Sequence, residues 1–165
     1  SQFCCNLNAD VENFLTQPGK AIRFEQTDNA RTYLILNDDS GEILAYFSLS
    51  FKELRLTNTS ISKSKIQRMD GISKNAGRIR AFLTGQIGKN TAVASNPISL
   101  ENILSEIYAV ISAAKELIGG RIIILECEDS EDLIKLYERH GFTLIAKLDP
   151  QQSRLRTMYT HVIER

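Results

Sequence analysis

The sequence predicts a mixed α/β fold, in which helices lie on both faces of a central sheet. A turn-rich stretch at residues 37–41 joins two β-rich segments and predicts an antiparallel hairpin. Further along, a long helical pattern at residues 99–118 separates two strand-like segments. Strands that are joined through a helix form a right-handed parallel crossover. Antiparallel and parallel pairing together indicate a mixed sheet.

Size and charge predict one domain over residues 1–165. The chain has 20 Lys and Arg against 20 Asp and Glu, so its net charge is zero, which argues against a surface that binds nucleic acid throughout. Its three cysteines, Cys4, Cys5 and Cys127, have no zinc-type spacing and cannot all pair. We therefore expect no metal and a reducing, cytoplasmic environment. No signal peptide or membrane-spanning run is recognised, so no membrane partner is expected.

The first half of the chain predicts two short helices and then the hairpin. Residues 10–15 place three apolar side chains on one face, with Asp10 as the expected cap, and residues 20–26 resume a helix after Pro18-Gly19. Residues 31–36 are β-rich. Residues 43–51 are expected to alternate strictly between two faces, one with Ile43, Ala45, Phe47, Leu49 and Phe51 and the other with Tyr46, Ser48 and Ser50. We expect both to be strands.

The second half is dominated by the helix at residues 99–118, whose apolar residues follow the i, i+3, i+4, i+7 series until Gly119-Gly120 stops it. An apolar run follows it, as expected of a strand that is covered on both faces. The other predicted elements are a short helix at 63–69, strands at 78–88 and 121–125, a helix at 131–140, and strands at 142–148 and 155–163.

Four segments, taken in order, resemble one family. The segment 136–142 (LYERHGF) matches the L-Y-x-x-x-G-F pattern where a helix gives way to a strand, and the opening 3–15, the hairpin 30–49 and the strand 83–90 add to the match. Together they resemble the GNAT superfamily of acetyl-coenzyme A-dependent N-acetyltransferases, over essentially the whole chain. The branch they resemble includes toxins that acetylate aminoacyl-tRNA.

The resemblance implies a GNAT-like sheet in which two parallel strands, 78–88 and 121–125, splay apart. It also implies acetyl-CoA as co-substrate, no metal, and transfer of an acetyl group to a primary amine by direct attack. Two alternatives stay open: a toxin that acts on aminoacyl-tRNA, and a non-catalytic GNAT that serves as a binding module. The acceptor is expected to be a small-molecule or peptide amine, with tRNA as the alternative, and a homodimer is left open.

Tyr137 is the residue that the family places beside the sulfur of acetyl-CoA. A phenol has a pKa of about 10, and it can supply the proton that a departing thiolate with a pKa of roughly 8.5 requires. The resemblance therefore implies that Tyr137 is the general acid. From the residues alone, a half-buried core tyrosine is the more ordinary interpretation.

A base must take the proton of the amine, and we expect it to be one of the carboxylates just after the strand 121–125. Glu126 and Glu128 are the candidates, while Asp129 is expected to cap the following helix. These acids also fit a solvated face, because residues 101–138 hold nine acids and three bases. Cys127 is expected to be packed in the interior, since no histidine is placed by the sequence to activate it.

The resemblance implies that the coenzyme is bound mainly by backbone groups. Pantetheine would lie along Ile87, Gly88 and Lys89, and pyrophosphate on the loop 95–100 at the start of the long helix. Neither glycine of the family's Q/R-x-x-G-x-G/A loop is present in this reading, and its last small residue is Leu100. Three further candidates to contact the coenzyme or cap a helix are Asn96, Ser99 and Ser130.

A basic stretch lies in the middle of the chain, with nine bases and two acids between Lys52 and Asn90. It predicts either a solvated face, a contact to the adenosine 3′-phosphate, or a surface for an anionic acceptor such as RNA.

Overall fold

The computed structural model describes residues 2–57, 59–146 and 154–162. Its helices are α1 (Ala9–Thr16), α2 (Ala21–Gln26), α3 (Lys63–Asp70), α4 (Leu100–Ile118) and α5 (Glu131–Arg139). Its strands are β1 (Arg31–Leu36), β2 (Ile43–Arg55), β3 (Arg78–Lys89), β4 (Ile122–Glu128), β5 (Thr143–Leu144) and β6 (Leu155–His161). Every element predicted from the sequence is found, with shifts at the ends.

The strands form a mixed sheet in the order β1-β2-β3-β4-β6-β5, with one parallel pair. β1 and β2 form the predicted antiparallel hairpin, and β6 pairs antiparallel with both β4 and β5. β3 and β4 are neighbours although the 19 residues of α4 separate them in the chain. The mixed α/β fold and the adjacency of these two strands are therefore confirmed.

The chain divides into two compact units. Unit 1 comprises the residues up to Ser50 together with Thr84–Ala109, and unit 2 comprises Phe51–Leu83 and the residues from Val110 onward. The single domain expected from composition stays a prediction.

Unit 1 is organised around Tyr46, a fully buried residue of β2. The Tyr46 hydroxyl donates to the Val11 carbonyl of α1 at 2.5 Å, so the polar end of the ring is satisfied inside the core. Phe3 meets the ring edge-on at 5.2 Å and Phe14 stacks on it at 6.3 Å. These contacts fasten the N-terminal segment and α1 to the sheet.

Unit 2 has its own core of aliphatic side chains and one tyrosine, which fill the space between the sheet and α3. Side chains alternate along a strand, so β3 and β4 each contribute two residues two positions apart, and β2 and β6 contribute one each. Its buried members are Leu54, Leu56, Met69, Ile79, Ala81, Ile122, Ile124, Ile145 and Tyr159.

Two predicted details are wrong. The cap of α1 is Asn8, whose Oδ1 accepts the N–H groups of Asp10 and Val11 at 3.0 and 3.2 Å, so Asp10 is itself one of the capped residues. The strict alternation expected of residues 43–51 is wrong as well, because residues 44–48 of β2 are all buried. β2 then continues to Arg55, where Leu54 is a core residue although its neighbours are polar. Residues 147–148 and 163 of the predicted last strands lie outside the described residues.

A helix that spans a bilayer must be both long and apolar. In the described ranges, no helix combines sufficient length with sufficient apolar character to span one.

Gly88 packs directly against the core of unit 1, which gives a test of this packing. A Cβ added at Gly88 would lie 2.6 Å from both Tyr46 Cε1 and Val11 Cγ1, so Gly88→Ala forces an overpacked core. We expect the free energy of unfolding to fall by about 1–3 kcal/mol, measured by urea denaturation. Gly77→Ala is the matched control, because an added Cβ there meets nothing within 4 Å. Equal stability of the two variants would contradict this packing.

Candidate functional site

The predicted site residues are divided between the two units. Unit 2 contains Tyr137, Glu126, Glu128 and Ser130, and unit 1 contains Ile87, Gly88, Lys89, Asn96, Ser99 and Leu100. Each group is described within its own unit.

Tyr137 stands in the last turn of α5, where the end of the helix holds it firmly. The helix has Glu131 and Asp132 in its first turn and Arg139 in its last, which suits the helix dipole. Its end is closed by N–H groups of the following turn, which donate to the Tyr137 carbonyl at 3.0 Å from His140 and at 3.1 Å from Phe142. The Tyr137 ring meets the buried Phe142 ring edge-on at 5.9 Å. The backbone and the ring are thus both fixed.

The electrostatic surroundings of Tyr137 favour the neutral phenol. Burial, assisted by the nearby Cys127, raises the pKa of Tyr137 to about 12. Among the described residues, the Tyr137 hydroxyl has no hydrogen-bond partner. At neutral pH this side chain therefore holds a proton that no other part of the described chain engages.

Cys127 is a buried thiol on β4. Burial is the main cause that raises the pKa of Cys127, so the thiol form is favoured and the side chain is a poor nucleophile. Strand pairing also keeps a histidine away: Cys127 pairs with Arg156 and His161 pairs with Ile122. Five residues of a strand span about 17 Å, so His161 is out of reach of the thiol. The predicted packing role of Cys127 fits this geometry.

Glu126 and Glu128 lie within β4, not after it as expected, because the strand extends three residues beyond the apolar run. Both carboxylates are exposed, whereas Cys127 between them is buried on the opposite face. Lys52 Nζ donates to Glu126 Oε1 at 2.6 Å, and no ion pair to Glu128 is found in the described part of the chain. No sequence pattern predicts this contact, because Lys52 lies 74 residues before Glu126.

The start of α5 also differs from expectation. Asp129 was expected to cap the helix, but Ser130 occupies the N-cap position and Asp129 forms an ion pair with Arg156 at 3.2 Å. Arg156 faces Asp129 because β6 pairs with β4 up to this end of the sheet. Ser130 makes no side-chain cap hydrogen bond, so its hydroxyl is available.

In unit 1, the chain beyond β3 is organised by Asn90, a residue that sequence reasoning missed. The Asn90 side chain is fully buried and makes four hydrogen bonds to backbone. Its Nδ2 donates to the carbonyls of Gln2 and Ile43, and its Oδ1 accepts the N–H groups of Cys4 and Ala92, at 2.8–3.1 Å. Asn90 thus ties the N-terminal segment, β2 and the following loop together.

Asn96 extends this arrangement to the loop that was mapped to pyrophosphate. Its Nδ2 donates to the carbonyls of Leu44 and Asn90 at 2.8 and 3.0 Å, and its Oδ1 accepts the N–H of Ile98 at 3.1 Å. The amide is therefore engaged by the chain itself. Asn96 holds the loop in shape, so a direct contact from its side chain to a coenzyme has to break one of these bonds.

Ser99 caps α4, as the sequence suggested. Ser99 Oγ accepts the N–H of Asn102 at 3.2 Å, and Asn102 Oδ1 accepts the N–H of Ser99 at 2.8 Å. This reciprocal pair is a capping box with asparagine at its third position, a spacing that is visible in the sequence. The N–H groups of Leu100 and Glu101 have no acceptor among the described residues. Two backbone donors therefore remain open at this end of the helix.

Replacing Asn96 tests whether it is a structural residue. Asn96→Ala leaves the Leu44 and Asn90 carbonyls and the Ile98 N–H without this partner, and we expect the free energy of unfolding to fall by about 1–3 kcal/mol without any coenzyme present. Asn75→Ala is the control, because the exposed Asn75 side chain makes no hydrogen bond among the described residues. If urea denaturation gives Asn96→Ala the stability of the wild type, the Asn96 side chain is not structural, and a direct contact to the coenzyme is the better interpretation.

Comparison with known proteins identifies the fold. No protein-family model matches the chain, and no curated protein sequence matches it at a significant level. A tyrosine-to-phenylalanine variant of KacT matches with a TM-score of 0.74 and 16% identity over 98% of this chain and 86% of that one. AtaT complexed with acetyl-methionyl-tRNAfMet matches with a TM-score of 0.71 and 15% identity over 96% of this chain and 85% of that one.

A third structure is a tyrosine-to-phenylalanine variant of the AtaT toxin, bound to the C-terminus of the antitoxin AtaR and to acetyl-CoA. It matches with a TM-score of 0.68 and 13% identity over 97% of this chain and 83% of that one. At these identities the likeness establishes the fold. The chain therefore has the GNAT-like fold of the KacT and AtaT structures, as the four sequence segments implied.

Proposed function

We propose that this protein transfers an acetyl group from acetyl-CoA to a primary amine by direct attack, in the cytoplasm, with Tyr137 as the general acid. The observation that carries the proposal is the half-buried Tyr137 phenol, which is held at the end of α5 and whose pKa is raised to about 12. Such a group carries its proton at neutral pH, as a general acid must before the thiolate leaves. The fold shared with structures that contain acetyl-CoA supports the same conclusion.

The reaction needs two proton transfers. The amine lone pair attacks the thioester carbon, and the tetrahedral intermediate then breaks its C–S bond. The departing thiolate takes the proton of Tyr137, which a positioned acid can accelerate by about 10²–10⁴-fold. The proton lost by the amine passes to a carboxylate at the end of β4. Of the two candidates, Glu128 has the freer carboxylate, because Lys52 engages Glu126.

The residues at hand suit a coenzyme that is bound mainly through backbone. Ile87, Gly88 and Lys89 would pair with pantetheine, and the open N–H groups of Leu100 and Glu101 would receive pyrophosphate at the start of α4. The free Ser130 hydroxyl is available as a further donor. The loop lacks the family's glycines, but Asn90 and Asn96 hold it by hydrogen bonds instead.

The proposal predicts a specific kinetic defect. In an assay that detects free CoA thiol with a panel of primary amines, Tyr137→Phe should lower kcat by about 100-fold or more. The KM for acetyl-CoA should stay within threefold, because the ring and its packing on Phe142 are kept. Tyr33→Phe, which alters a tyrosine of β1, should retain wild-type turnover.

Two outcomes would contradict the mechanism. Full turnover in Tyr137→Phe would show that the Tyr137 hydroxyl is not the general acid. A thousandfold loss in Cys127→Ala would instead indicate an acetyl-cysteine intermediate, which direct attack does not form.

A second candidate function is acetylation of aminoacyl-tRNA, with the protein acting as a toxin. Its support is the structure of AtaT with acetyl-methionyl-tRNAfMet, together with exposed bases in unit 2 that have no ion pair among the described residues. These bases are Arg55, Lys63, Lys65, Arg68, Lys74 and Arg80. Such cations can contact the phosphates of RNA.

The two candidates are separated by expression and by labelling. If the acceptor is aminoacyl-tRNA, expression in bacteria arrests growth, Tyr137→Phe relieves the arrest, and labelled acetyl groups from acetyl-CoA appear on charged but not on uncharged tRNA. Normal growth together with unlabelled charged tRNA would exclude this acceptor and leave the general proposal in place.

A further inference from the structure

The ion pair between Asp129 and Arg156 is a feature of unit 2 that the proposed reaction does not use. Asp129 lies between the end of β4 and the N-cap of α5, and Arg156 lies on β6. Arg156 Nη1 donates to both carboxylate oxygens of Asp129, at 3.2 and 3.3 Å. The pair therefore links the start of the helix that carries Tyr137 to a strand of the sheet.

A second contact joins the same two segments. The Asp129 N–H donates to the Arg154 carbonyl at 3.2 Å, just before β6 begins. The register of β4 and β6 places Cys127 opposite Arg156, so the two strands are still paired at this corner. The start of α5 is thus tied to β6 by one backbone hydrogen bond and one ion pair.

The helix α5 has no deeply buried side chain of its own. None of its nine residues is buried, and its apolar side chains are only half-buried, namely Leu133, Ile134, Leu136 and Tyr137. In the longer helix α4, by contrast, Ile111 is fully buried. Since helices in proteins are held mainly by the packing of an apolar face, the position of α5 depends more than usual on the contacts at its two ends.

The surroundings of Arg156 make its partner important. Only 21% of the Arg156 side chain is exposed, against 55% for Asp129, and Asp129 is its one ion-pair partner among the described residues. A largely buried charge that loses its partner is strongly unfavourable. The corner between β4 and α5 is therefore expected to rearrange when either member of the pair is neutralised.

Arg156 also lies beside the side chain that adjoins the phenol. Residues that are directly opposite in an antiparallel pair direct their side chains to the same face, so Arg156 and Cys127 share one face of the sheet. Cys127 in turn contributes to the raised pKa of Tyr137, so these two side chains are near neighbours. A displacement of Arg156 can therefore reach the phenol through the helix and through Cys127.

We propose that Arg156 is a positioning residue for the general acid: its ion pair with Asp129 fixes the start of α5 and thereby the place of the Tyr137 hydroxyl, about two turns further along. The inference rests on the proposed acetyl transfer, and it gives Arg156 no contact with either substrate. Proton transfer requires the two heavy atoms to be about 2.6–3.2 Å apart, so a small displacement of the helix is enough to slow it.

The test is a double-mutant cycle between Arg156 and Tyr137. Arg156→Met removes the charge, and it should lower kcat by about tenfold or more while the KM for acetyl-CoA stays within about twofold. In the Tyr137→Phe background no hydroxyl remains to be positioned, so the same change should lower kcat by less than about twofold. Arg156→Lys keeps the charge and should retain at least about a third of the wild-type kcat.

The matched control is Lys135→Met. It also removes a cation that forms an ion pair, but this pair joins Lys135 to Glu131 within α5 and leaves the corner with β6 intact. Lys135→Met should keep the wild-type kcat, because an exposed pair of this kind contributes little.

Hydrogen exchange tests the structural part without substrates. In Arg156→Met, the amides of residues 131–139 should exchange at least about tenfold faster than in the wild type and in Lys135→Met. The amides of residues 110–118, in the second half of α4, should exchange at the wild-type rate.

The outcomes separate this inference from the proposed function. Full turnover in Tyr137→Phe, or no transfer by the wild type, would overturn the general acid and the role of Arg156 with it. If Tyr137→Phe is impaired, three results would overturn the inference alone. These are a wild-type kcat in Arg156→Met, an undiminished loss of kcat in the Tyr137→Phe background, and exchange that is unchanged in α5 or equally faster in α4.

Discussion

The candidate coenzyme region depends on one constraint: the backbone polar groups that are buried where β3 ends must all have hydrogen-bond partners. At that point the N-terminal segment, the start of β2 and a loop without regular structure all bring backbone polar groups into a buried environment. Buried polar groups must be paired, and the side chain of Asn90 pairs four of them at once. Asn96 and the Ser99–Asn102 pair continue this network up to the first turn of α4. A loop that lacks glycines is thereby held in a defined shape.

The proposed chemistry depends on a different physical effect, the partial burial of one phenol. Tyr137 is fixed by the end of α5 and by Phe142, and its raised pKa keeps it protonated over the whole physiological range. Burial also favours the proton on Cys127, which makes its thiol a poor nucleophile and disfavours a covalent intermediate. The carboxylates of β4 face solvent instead, where they can exchange protons.

The sequence predicted the helices and strands well, because their hydrophobic periods are long and regular. The helical series of α4 and the continuous apolar run in β4 each depend on local pattern alone. In β2 the letters predicted a strand but not its environment, because residues 44–48 are buried on both faces. The predictions that were wrong concern ends: Asp10 and Asp129 are plausible caps by residue type, yet Asn8 and Ser130 occupy those positions. Which neighbouring residue caps a helix is decided by backbone geometry, which composition does not reveal.

The contacts that define the site could not be predicted, because they join residues far apart in the chain. Asn90 bonds to Gln2, and Lys52 pairs with Glu126, at separations of 88 and 74 residues. Tyr137 could be singled out only through a resemblance, since its spacing alone equally fits a core tyrosine. The Ser99–Asn102 cap is the exception, because its three-residue spacing is present in the sequence.

Binding of acetyl-CoA is the most direct measurement of the central claim, since transfer requires that this coenzyme is held. Thermal unfolding should be followed with and without acetyl-CoA. The account predicts a stabilisation of about 2.7 kcal/mol when the free coenzyme is in hundredfold excess over its Kd. For a domain of this length that is a rise in Tm of several degrees. An unchanged Tm at millimolar acetyl-CoA would contradict the account and favour a GNAT fold that serves only as a binding module.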